Sequence, residues 1–109
     1  MEAESFVKVS KTLADPQRFA ILERIAREPG ELACKALVAE FDVSQATISH
    51  HLKELSNAGL IEGRREGQCM YLRARRAALE AYHRELGRRV GVSQSGQTSQ
   101  TAGSSRGSR

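Results

Sequence analysis

Between Gln45 and Lys53 the chain sets out Gln45, Thr47, Ser49, His50 and Lys53 at helical spacing, and a short alternating segment then carries Arg64, Arg65, Gln68 and Arg73. These side chains donate and accept hydrogen bonds or carry positive charge, and none is a nucleophile with a base and an orienting group at recognisable spacing. The chemistry they suit is recognition of double-stranded DNA. A glutamine can grip adenine through two hydrogen bonds and a threonine can touch a thymine methyl, while serine and lysine can hold phosphates. Arginines at a hairpin tip can enter the minor groove or grip the backbone. The plainer alternatives are a helix whose polar side faces water and a charged strand edge that blocks aggregation.

Other chemistries find little footing. The chain has no glycine loop that could cradle a phosphate and no catalytic constellation, so it reads as a non-enzyme with no cofactor and no metal centre. Cys34 and Cys69 are too few for a disulfide framework and are expected as free thiols in a reducing compartment. Cys34 takes an inward position, although a place at a helix start would lower its pKa if water reached it. Cys69 falls on the outward side of a strand. A thiol-based redox-sensing repressor using this pair is an alternative, and it requires the two to lie close together. His51 sits nearer the apolar stripe than His50 does and reads as a satisfied, semi-buried histidine, which leaves His50 as the groove candidate.

Presenting these side chains takes a helix with a ribbon beside it. At about 100° per residue, Ile48, Leu52 and Leu55 define the buried face of a helix running from Ser44, a good N-cap, to about Ala58, with Gly59 as its stop. Ala46, Ser49, His50, Lys53 and Asn57 lie opposite, and Glu54 is the helix's only acid. Upstream, Phe6, Val9 and Leu13 mark a first helix over about Glu4 to Ala14. Asp15-Pro16 opens a second, to about Arg27, with Phe19, Leu22, Ile25 and Ala26 inward, and Pro29-Gly30 breaks it. A third, roughly Ala33 to Phe41, buries Cys34, Leu37, Val38 and Phe41.

Downstream, Leu60 to Arg65 and Gln68 to Ala74 read as strands around a turn at Glu66-Gly67. A last helix, about Arg75 to Val90, carries Leu79, Tyr82, Leu86 and Val90 along one side. The expected fold is mostly α (α+β), a winged helix-turn-helix in the order α-α-α-α-β-β-α. Residues 1 to 90 form its DNA-binding and dimerisation domain. Gly91 to Arg109, made of Ser, Gln, Thr and Gly with almost no apolar residue, reads as a disordered polar tail.

Composition agrees with one domain: 109 residues with 39% apolar content can fill a single modest core. No apolar run reaches about 18 residues and the first residues are acidic, so neither a membrane span nor a signal peptide is expected and the cytoplasm is the expected location. Residues 1 to 44 carry six Lys/Arg against eight Asp/Glu, and residues 45 to 90 carry nine against five. The basic half is the half with the helix and ribbon, which favours a polyanionic partner. The Phe6/Val9/Leu13 and Leu79/Tyr82/Leu86/Val90 stripes on the terminal helices need cover. A second subunit would supply it, and the symmetry would demand a palindromic operator with half-sites about one or more helical turns apart.

The segments LADPQRFAILERI and SQATISHHLKELSNAGLIEGRREGQCMYLRA resemble the arsenic-repressor (ArsR/SmtB) family of bacterial winged-helix regulators over Leu13 to Ala74. The stretch S-Q-x-T-x-S-x-H-L-x-x-L-x-x-A-G-L-I is the specific part. The resemblance implies a homodimeric transcriptional repressor whose first and last helices pair across a two-fold axis. It puts DNA-reading residues at Gln45, Thr47, Ser49 and His50 and the wing at Arg64 to Gln68.

The chain also departs from the family. Where many relatives bind arsenic through a Cys-x-Cys pair, Ala33 and Lys35 flank a single Cys34, and one thiol cannot chelate a soft ion. Where zinc-sensing relatives place acids and histidines on the last helix, this chain has only Glu80 and His83, three apart. Two copies across a dimer could build a four-ligand site, but no second histidine follows and His83 reads as a plain interface histidine. The sequence names no inducer. A second reading, a winged-helix module that contacts a protein partner, stays open at this point.

Overall fold

In the computed structural model, which describes residues 1–92, α1 (Ala3–Leu13) turns into α2 (Pro16–Arg27) at a corner built by two residues. The Asp15 carboxylate accepts the Arg18 backbone N–H at 2.8 Å, and Pro16 takes the first helical position, where no N–H is needed. A two-residue strand, β1 (Leu32–Ala33), leads into α3 (Cys34–Glu40), and a short turn leads to α4 (Gln45–Asn57). Ser44 caps α4 by accepting the Thr47 N–H at 3.1 Å. Gly59, at φ +78°, ends it in a left-handed conformation that a side chain would strain. The hairpin β2 (Ile61–Glu66) and β3 (Cys69–Ala74) follows, then α5 (Arg76–Val90).

The winged helix-turn-helix order read from the sequence is present, with β1 added. β1 pairs antiparallel with β3, Leu32 opposite Leu72 and Ala33 opposite Tyr71, so the sheet order is β1-β3-β2. Two residues are too few for a periodic signal, and their partner lies far along the chain. The hairpin turn is Gly67-Gln68 rather than Glu66-Gly67, because Glu66 still pairs with Cys69. Gly91 and Val92 follow α5; the rest of the tail expected to be disordered lies outside the described residues. Among those residues no helix is long and apolar enough to cross a membrane.

The core gathers Ile21 and Ile25 of α2, Leu37 of α3, Ile48 and Leu55 of α4, and Leu60, Ile61 and Leu72 of the hairpin region. Each fully buried aliphatic side chain contributes about 1.5–3 kcal/mol, so this cluster is what fixes α4 against the sheet. The inward face of α2 is rotated from the expected one: Ile21 is fully buried, while Phe19 is 41% exposed.

The terminal stripes divide between the chain's own packing and its surface. Val9 is 2% exposed and belongs to the chain's own core, so it is not an interface residue as the sequence suggested. Phe6 and Tyr82 stack within the chain with ring centroids 5.1 Å apart, and the Tyr82 hydroxyl lies 2.8 Å from Ser10 Oγ. Leu13 and Leu79 are half-buried, whereas Leu86 and Val90 stay exposed. Glu85, next to Leu86 in the chain, is buried, and its hydrogen bonds from Arg88 and Arg89 outweigh burial and hold its carboxyl down at about 2.

Candidate nucleic-acid interface

The polar face of α4 is open to solvent. Gln45, Ser49, His50 and Lys53 are exposed and Thr47 is half-buried, with its hydroxyl 3.0 Å from Ser44 Oγ. Spacing divides the face. Gln45, Ser49 and Lys53, four residues apart, form the ridge toward the hairpin, and Thr47 and His50 lie on the other flank. Leu52, expected on the buried face, is half-buried, and His51 goes deeper than expected at 7% exposure. Its Nε2 is 3.0 Å from Gln17 Oε1 and its Nδ1 accepts from Arg18 Nε at 3.4 Å. Burial holds its pKa below the usual imidazole range, against the pull of nearby Asp15.

Strand alternation divides the hairpin in the same way. Glu62, Arg64 and Glu66 lie on one face opposite Arg73, Tyr71 and Cys69. Arg64 is held there by Glu31, through Nε at 3.0 Å and Nη2 at 2.8 Å, and by Glu66, and its guanidinium lies 4.9 Å from the Tyr71 ring centroid. Those carboxylates raise its pKa further, and Arg64 in return lowers that of Glu31. Arg73 pairs with Glu62 at 3.0 Å. Arg64 and Arg73 are therefore not the free cations the sequence suggested. Arg65 is on the other face, opposite Met70, and makes no ion pair among the described residues.

That second face and α4 enclose a cleft of about 640 Å³. Gln45, Ser49 and Lys53 of α4, Arg65 of β2 and Gln68 of the turn line it, so the helix and the hairpin bring five residues to one place, while Thr47, His50, Arg64 and Arg73 stay outside. Leu52 and Met70 are among the apolar groups of its floor. Gly63 makes room for Met70, since a Cβ there would lie 3.0 Å from its sulfur. Lys35 of α3 also reaches the cleft, which the sequence reading missed. Its signal was an unpaired cation at the start of a helix that precedes the reading helix.

Both thiols border this cleft, and both are free. Cys34 follows Ala33, the partner of Tyr71, and packs against the core, where burial pushes its thiol up. Cys69 shares the outer face with Tyr71 and, by charge and hydrogen bond, raises the phenol's pKa.

A capped helix exposing neutral donors and cations, set beside a two-stranded wing, is the architecture of a winged helix-turn-helix DNA-binding protein. The profile of a helix-turn-helix domain family matches residues 13–64. The chain is 45% identical over 65 residues to an arsenic resistance transcriptional regulator of Pseudomonas putida, covering 60% of this chain and half the length of that one. It is 31% identical over 80 residues to the arsenical resistance operon repressor of Staphylococcus aureus, covering 73% of this chain and 75% of the repressor. Among solved structures, it resembles the homodimeric winged helix-turn-helix DNA-binding domain of a possible ArsR-family transcriptional regulator from Mycobacterium bovis. The TM-score is 0.64 at 30% identity, over 81% of this chain and 79% of that one. The chain belongs to the ArsR/SmtB family of winged helix-turn-helix transcriptional regulators.

Proposed function

We propose that the chain is a cytoplasmic, dimeric repressor that reads a palindromic operator. Gln45, Thr47, Ser49 and His50 contact base edges and flanking phosphates in the major groove, Lys53 neutralises a phosphate, and the hairpin around Arg65 and Gln68 lies alongside as the wing. The carrying observation is the exposed polar face of α4, free of acids except Glu54, opening onto the wing.

Dimerisation runs through the paired terminal helices, with Leu86 and Val90 exposed on α5 and Phe6, Leu13, Leu79 and Tyr82 forming the half-buried ground beneath them. The homodimeric state of the Mycobacterium bovis domain supports this arrangement, and the repressor name of the Staphylococcus aureus relative supports the direction of control.

The test is selection of bound duplexes from a random pool, followed by gel-shift titration. Gln45→Ala or Thr47→Ala should relax base preference by about 1–3 kcal/mol per lost contact while the fold survives. Failure of the wild-type chain to enrich any sequence would overturn the reading.

A further inference from the structure

We propose that the cleft between α4 and the hairpin clamps one sugar-phosphate strand, and that Lys35, Lys53 and Arg65, rather than Arg64 and Arg73, supply its ionic contacts. The inference rests on the DNA-binding reading above and says which charges carry it.

Lys35 comes from α3, Lys53 from α4 and Arg65 from β2, and all three line one cleft. No aspartate or glutamate is among the residues lining it, and among the described residues none of the three cations makes an ion pair. Arg64 and Arg73 stand on the opposite face of the hairpin, each already bound to carboxylates. The distinction has thermodynamic content. A cation that replaces small counterions on DNA gains their release, whereas a cation held by a carboxylate must first give up that pair to reach a phosphate.

The rest of the cleft suits the same occupant. Ser49 and Gln68 offer neutral donors at its rim, and the Leu52 and Met70 floor is an apolar surface against which a deoxyribose can rest. Gln45 and Ser49 sit on the same ridge as Lys53. A strand clamped there is therefore the one bordering the groove that α4 enters, and the clamp sets the depth and register of base reading.

The experiment is a salt titration of the full chain on a fluorescent duplex of about 40 base pairs of arbitrary sequence, between about 50 and 200 mM salt. Lys35→Gln, Lys53→Gln and Arg65→Gln should each make the log-affinity against log-salt slope shallower by about 0.9 per contact, or about 1.8 per dimer. Each variant then loses about 12-fold less affinity across that range than the wild type does. Arg64→Gln and Arg73→Gln should leave the slope unchanged, and Lys35→Arg should keep the wild-type slope. Thermal melts of every variant establish that it is folded. If Lys35→Gln keeps the wild-type slope, or Arg64→Gln flattens it as much as Arg65→Gln does, the clamp is overturned while DNA binding stands. If the wild-type chain binds no duplex, the proposed function falls first.

Discussion

Truncating Leu86 to alanine separates the energy this side chain gives its own chain from the energy it gives a partner. In one chain Leu86 is 40% exposed. Burying a whole leucine side chain contributes about 1.5–3 kcal/mol, so the exposed share offers a partner about 0.6–1.2 kcal/mol. A two-fold interface contains the residue twice, which doubles that share to about 1.2–2.4 kcal/mol. The dimer dissociation constant of Leu86→Ala should therefore rise about 7- to 50-fold, at about 1.4 kcal/mol per tenfold. The portion buried within the chain costs each subunit a further ~1–2 kcal/mol of folding stability. Sedimentation equilibrium reads the first quantity, and denaturant unfolding of the monomer at low concentration reads the second. Leu86→Glu should remove the dimer altogether, because it places an unpaired charge in the apolar contact. A folded Leu86→Ala with an unchanged dissociation constant, or a wild-type chain that sediments as a monomer at tens of micromolar, would refute the assignment of this face to dimerisation.

Two further measurements address how α4 is held. Ser44→Ala removes the acceptor for the Thr47 N–H and should destabilise the domain by about 1 kcal/mol, lowering the melting temperature by roughly 4–8 °C by circular dichroism; an unchanged melt would show that the cap carries no weight. Burial lowers the folded pKa of His51 below its unfolded value, so its contribution is complete above about pH 6.5 and declines as the pH falls from there toward the folded pKa. Denaturant unfolding at pH 7.5 and pH 5.5 should thus show a larger acid loss for the wild type than for His51→Gln, and equal losses would count against the buried neutral ring.

Helices were legible because their signals are local. Ser44 and Gly59 bracket α4 as read, since capping and left-handed termination act within a few residues. The features that escaped depend on partners distant in sequence. β1 exists only because β3 is there to pair with it, and Phe19 lies on the surface because the packing of α2 selects Ile21 instead. Val9 was read correctly as inward, but sequence periodicity cannot say whether the surface it meets belongs to the same chain. The wing shows the same limit in charge. Alternation could place Arg64 and Arg65 on opposite faces, but only the fold brings Glu31, thirty-three residues away, against Arg64.

The reading helix is linked to the terminal helices by two sets of polar contacts joined through α1. Tyr82 of α5 stacks on Phe6 and lies 2.8 Å from Ser10 Oγ on α1. Two residues further along α1, the Thr12 carbonyl accepts from Arg18 Nη1 of α2 at 3.2 Å, and Arg18 Nε donates to His51 of α4. With Nδ1 accepting from Arg18, the neutral ring carries its proton on Nε2, aimed at Gln17 Oε1. A half-buried polar link of this kind resists small rotations, because a broken contact leaves a desolvated group without a partner. In the proposed dimer the two α4 helices must stand at a distance matching half-sites one or more turns apart, about 34 Å per turn. Within one chain, the Tyr82–Ser10 contact joins α5 to α1 and the Thr12–Arg18–His51 contacts join α1 to α4 through α2, so the path from α5 to α4 runs through α1.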